Sequence, residues 1–104
     1  TMLTAQAKED FKQFIERIIS YAVVTVNGKA EKKVIHRRER LSDGRVAVYI
    51  AITPQLGTAA TIQKVQLYNT AGKLWAEKAE NISLSNVQEG ALYRFVFDFV
   101  EKEV

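Results

Sequence analysis

Ile62-Gln63-Lys64-Val65-Gln66-Leu67-Tyr68, Asn69-Thr70-Ala71-Gly72 and Lys73-Leu74-Trp75-Ala76-Glu77-Lys78-Ala79-Glu80 form the stretch whose reading decides the fold. Two β-prone runs flank a turn whose Asn and Gly tolerate positive φ, the pattern of a β-hairpin. Val65 and Leu67 share a face of the first run, and strict alternation puts Leu74 with Ala76 on a face of the second. A polar segment from Glu80 to Gly90 follows, read as the longest irregular stretch. It leads to a strand over Ala91 to Val100, in which Tyr93, Phe95, Phe97 and Phe99 alternate with Leu92, Arg94, Val96, Asp98 and Val100. Four aromatics on one face predict much of the core, each contributing on the order of 2–3 kcal/mol when buried.

Working outward, Arg45 to Thr53 places Val46, Val48, Ile50 and Ile52 on one face and Ala47, Tyr49 and Ala51 on the other, so both sides are expected to be partly covered. Pro54 removes a ladder donor and closes that strand, and Gln55 to Thr61 reads as a loop. Further upstream, Tyr21 to Val26 ends in Asn27-Gly28, a two-residue hairpin signal. Lys29 to about Arg40 reads as one strand ending before Ser42-Asp43-Gly44, a second hairpin signal.

At the N-terminus the period changes to that of a helix. Ala7, Phe11, Phe14, Ile15, Ile18, Ile19 and Ala22 recur at helical spacing with Lys8, Glu9, Lys12, Gln13, Glu16 and Arg17 between them. The spacing predicts an amphipathic helix over residues 4 to about 20, with Thr4 as its N-cap. The polar face balances acids and bases, unlike a membrane-surface helix, so the apolar face is expected to pack on the protein's own sheet, against the aromatic strand. The expected architecture is α+β: an N-terminal amphipathic helix (about 4–20) packed on an antiparallel β-sheet of about six strands (about 21–100), a sandwich or partly closed barrel, in a single domain of 1–104.

Composition agrees with a globular chain: 104 residues with 47% hydrophobic and 26% charged side chains can bury one core. Cysteine is absent, which removes disulfides and thiolate metal sites. No apolar run approaches the ~18 residues of a membrane span, and no basic-then-apolar leader opens the chain, so a soluble, intracellular product with no membrane partner is expected.

The net charge of +3 is concentrated. Between residues 29 and 45, Lys29, Lys32, Lys33, Arg37, Arg38, Arg40 and Arg45 stand against Glu31, Glu39 and Asp43, leaving +4. Such a ribbon can steer an acidic partner or contact phosphates, or it can keep an edge strand soluble.

Catalytic patterning is lacking. His36 is the lone histidine, set among cations without an acidic residue at orienting spacing. Asp10, Glu77, Glu80 and Asp98 are scattered, and no nucleophile elbow, phosphate loop or metal-ligand spacing occurs. The expectation is a non-enzymatic protein with no cofactor and no metal.

The words Ile62 to Glu77 and Leu92-Tyr93-Arg94-Phe95-Val96-Phe97 resemble a pattern of small bacteriophage and prophage tail or tail-fibre-associated proteins. In that pattern an I-x-x-V-x-L-Y-D-x-x-G-x-L-x-A hairpin precedes, after a polar loop, an apolar strand. Asn69 stands where Asp is common, and either suits the turn. The resemblance covers about a third of the chain and implies a structural, protein-binding component, cytoplasmic in a bacterial host or virion-associated, whose partners are proteins or copies of itself as a homo-oligomer. The nominated interaction surface is Lys32, Lys33, Arg37, Arg38, Arg40, Arg45 and Trp75. The alternative is a nucleic-acid-binding β domain in which Arg37, Arg38, Arg40 and Arg45 supply charge, and Tyr49 and Trp75 rings for stacking. A third possibility is a small-ligand pocket beneath the helix.

Overall fold

The computed structural model describes residues 2–53, 59–84 and 91–104. In chain order these form α1 (Ala5–Ile18), β1 (Ile19–Val26), β2 (Lys29–Val34), β3 (Arg37–Arg40), β4 (Val46–Ile52), β5 (Ala60–Asn69), β6 (Leu74–Leu84) and β7 (Ala91–Phe97). All strand pairs are antiparallel, but they make two sheets, ordered β2-β1-β5-β6 and β3-β4-β7, instead of one sheet of about six strands.

The second sheet arises from a break that alternation does not mark. Lys29 to Arg40 was expected as one strand; at Ile35-His36 the chain leaves β1 as its partner and joins β4, with the His36 amide donating to the Tyr49 carbonyl (2.8 Å). Inner faces of the two sheets meet in one core, to which β1 supplies Ala22 and Val24, β5 Ile62, Val65 and Leu67, β4 Val46, Val48, Ile50 and Ile52, and β7 Phe95. The other side of β4 is covered in part: Ala47 and Tyr49 are buried and Ala51 is exposed.

Turn chemistry follows the sequence closely. Asn27 (φ 51°) and Gly28 (φ 80°) both take the left-handed conformation that a two-residue hairpin with right-twisted strands requires. At Asn69 the amide donates to the Lys73 carbonyl (2.9 Å) and the Gly72 amide to the Asn69 carbonyl (2.9 Å), closing a three-residue loop with Gly72 in the left-handed region. The Asn69 carboxamide oxygen accepts from the Ala71 and Lys73 amides, which explains why Asn serves there as well as Asp. Leu41 and Gly44 repeat the same closure around Ser42-Asp43-Gly44.

Several strand boundaries differ from expectation. β5 begins at Ala60, so Ala60 and Thr61 belong to the ladder; Pro54 and the rest of 54–58 lie outside the described residues. β6 runs on to Leu84, so the first half of the segment expected to be irregular is strand, pairing Ser83 with Thr61 and Ile82 with Ile62. β7 stops at Phe97, ahead of the expected end at Val100.

A bulge also reverses one facing. The β5–β6 register shifts between Leu67 and Tyr68, so Leu74 pairs with Tyr68 on the outer face and Ala76 with Leu67 on the inner. Leu74 is accordingly about half exposed, while Ala76 packs on the core.

The helix begins as expected, the Thr4 hydroxyl accepting from the Ala7 amide (3.2 Å). It ends at Ile18, and Ile19 and Ala22 serve β1 instead. Only Ile15 of the helix is buried. Phe11 and Phe14 remain 45% and 46% exposed, so the apolar face is only partly covered by the protein's own sheets.

Candidate functional site

An apolar helix face left open makes a surface hollow. Phe11 and Phe14 on α1, Leu3 ahead of it, Trp75 at the start of β6 and Phe99 after β7 line a groove of about 640 Å³, with Asp10 and Arg17 at its rim. A smaller hollow of about 290 Å³ adjoins it and shares Leu3, Phe11 and Phe99.

Rings build the walls. Phe11 and Phe99 stack with centroids 5.5 Å apart, and Trp75 meets Phe97 edge-on at 5.3 Å. Trp75 packs against the core through that contact while its side borders the groove. At the smaller hollow, a Glu101 carboxylate oxygen accepts from the amides of Met2 and Leu3 (2.9 Å for Leu3), tying the chain after β7 to the segment before α1.

The opposite flank of α1 is held by charge. Glu9 and Glu16, seven residues apart and so on one side of the helix, both engage Arg40 of β3. Nη1 and Nη2 donate to the two Glu9 oxygens (2.6 and 2.7 Å), while Nε and Nη2 donate to Glu16 (3.1 and 3.0 Å). The hydrogen bonds from Arg40, then from Gln13, hold the Glu9 carboxyl down at about 2 against an ordinary 4.5, and the two acids raise Arg40 in turn. Because the folded value lies below the unfolded one, Glu9 stabilises the fold above pH 4.5 and that contribution is lost as pH falls from 4.5 towards 2. In urea titrations, Glu9→Gln is expected to be less stable than the parent at pH 7 and to converge with it near pH 2. Parallel curves across the whole range would refute the clamp.

The residues nominated from sequence do not form one surface. Lys32 lies on the outer face of the four-stranded sheet, its ammonium 4.3 Å from the centre of the Tyr21 ring. Lys33 pairs with Glu31 (3.4 Å) on the opposite face of β2. Arg37 covers Tyr49 (4.5 Å) and pairs with Glu39 (3.3 Å), on the outer face of the three-stranded sheet. Arg38 donates to the Ile19 carbonyl (2.8 Å), Arg40 clamps the helix, and Arg45 pairs with Asp43 (2.7 Å). Trp75 stands apart, at the groove. Each of these cations has a partner within the chain. Tyr49, one of the two rings nominated for base stacking, is 8% exposed.

Sequence reasoning singled out Phe11 and Phe14 only as core. Their exposure depends on how much of α1 the sheets reach, and no pattern in the helix itself reports that. Glu9 and Glu16 were readable only as one helix flank.

His36 is exposed. Tyr93 donates its hydroxyl to the Glu80 carboxylate, and burial followed by that carboxylate pushes the phenol well above its ordinary value. Among the described residues no group of three or more His, Asp and Glu is placed to hold a metal ion, and no helix is long and apolar enough to cross a membrane.

The chain matches no family model, no curated protein and no solved structure. Ile62 to Glu77 and Leu92 to Phe97 occupy the β5–β6 hairpin and β7, the part of the fold that brings Trp75 and Phe97 together beside the groove.

Proposed function

We propose that this chain is a non-enzymatic structural domain that works by binding protein, of the kind assembled into bacteriophage or prophage tails. The observation that carries the reading is the open groove. Two phenylalanines of α1, each nearly half exposed, stand beside Phe99 and Trp75 in a hollow with an apolar lining and a charged rim. An apolar patch rimmed by polar residues is characteristic of a protein-binding surface, and aromatic anchors dominate the energetics of such contacts. Tail-like assembly is supported by the Ile62-to-Phe97 resemblance, which falls beside that groove.

The test is photo-crosslinking in the native cell, with a photoreactive amino acid at position 14 and, as a control, at Thr25 on the outer face of the four-stranded sheet. A discrete protein adduct from position 14, a second copy included, and none from position 25 is the expected result. Adducts to nucleic acid, or equal yields from both positions, overturn the reading.

A further inference from the structure

Among the described residues four strand edges end the two sheets, and three carry devices that discourage pairing. β2 turns Lys29, Glu31 and Lys33 towards the inner face, opposite Val26, Val24 and Ala22. β3 has four residues, all charged. β6 is interrupted by two register shifts against β5. β7 differs: it pairs with β4 without a shift from Ala91 to Phe97, has one charge, Arg94, and its other edge pairs with no strand among the described residues.

We propose that two copies of this chain pair through β7, antiparallel about a two-fold axis at Val96, joining their three-stranded sheets into one sheet of six. Opposed residues in an antiparallel pair share a face, so a two-fold axis must pass at a residue, which then faces itself. The choice among residues is decided by charge. An axis at Arg94 sets Arg94 against Arg94, one at Phe95 sets Asp98 against Leu92, and one at Phe97 sets Asp98 against Val96.

Only the axis at Val96 sets Arg94 against the partner's Asp98, and does so twice. The same register places Val96 on Val96, Leu92 on Val100, Phe95 on Phe97 and Tyr93 on Phe99. Leu92, Phe99 and Val100, which are 52%, 38% and 86% exposed in the single chain, all gain apolar neighbours. Pairing carries β7 on to Val100, the extent that its alternation marks in the sequence. It also brings the partner's Tyr93 to Phe99, at the groove. The proposal rests on the reading that this side of the molecule is a protein-binding surface, and names its occupant as a second copy.

Light scattering on the purified chain at increasing concentration is expected to give twice the monomer mass. Arg94→Asp and Asp98→Arg, both at exposed positions, should each halve that mass at the same concentration, with circular dichroism unchanged. The double variant restores opposite signs across the axis and should restore the dimer. A monomeric parent chain, a dimer indifferent to both single reversals, or a double variant that stays monomeric overturns the pairing. A protein adduct from position 14 to something other than this chain, together with a monomeric parent, separates the two ideas: the groove reading then stands and the β7 pairing fails.

Discussion

Phe95→Ala is expected to lower the stability of this protein by about 3–5 kcal/mol, the range for truncating a buried phenylalanine. Phe95 is 6% exposed, sits opposite Val48 in the β4–β7 register, and lies between Tyr93 (5.4 Å, edge-on) and Phe97 (6.2 Å, stacked). Removing the ring takes away its own burial and opens a cavity that the flanking strands cannot close without breaking the ladder. Urea denaturation should show a lower midpoint with an unchanged slope. Should the alanine variant fail to fold, Phe95→Leu retains most of the volume and should give a smaller, measurable loss. A leucine variant as stable as the parent would show that the aromatic row is not central to the core.

Ile15→Ala should lower stability by about 2–5 kcal/mol, with a different signature. Ile15 is the single buried side chain of α1, at 4% exposure, with Ile18 packing on the core at the helix end and the Arg40 clamp and the Phe11–Phe99 stack holding its two margins. Losing the central anchor leaves a 14-residue helix that is marginal by itself in water. Amide exchange in α1 is therefore expected to rise more than in β4, since the core strands retain their pairing. Equal acceleration in α1 and β4 would mean that the helix unfolds only with the sheets.

The local elements were legible because their causes are local. Asn27-Gly28, Gly44 and Gly72 each supply the positive φ that a particular turn needs, and Thr4 caps α1 whatever it packs against. Long-range arrangement was not legible to the same degree. Nothing in Lys29 to Arg40 separates a continuous strand from one that changes sheets at Ile35-His36, because side chains alternate in both. Leu74 looked equivalent to Ala76 until a bulge set them on opposite faces.

The candidate site shows the same division. The basic ribbon stood out as a linear cluster, yet the sheet change and the helix clamp distribute it over several faces and give its nominated members partners in the chain. The groove depends on Leu3, Phe11, Trp75 and Phe99, residues from four separate parts of the sequence that have no common pattern.

By itself, then, the sequence determined where the helix starts, where most of the strands lie, where the hairpins turn and which residues prefer burial. These follow from backbone dihedrals and from side-chain periods of 3.6 and 2. Tertiary structure alone decided that there are two sheets, that Arg40 of β3 clamps the helix, and that Phe11 and Phe14 stay open beside Trp75 and Phe99. An apolar face states a need for cover; which surface meets that need is set by the distance and area available once all the elements have packed.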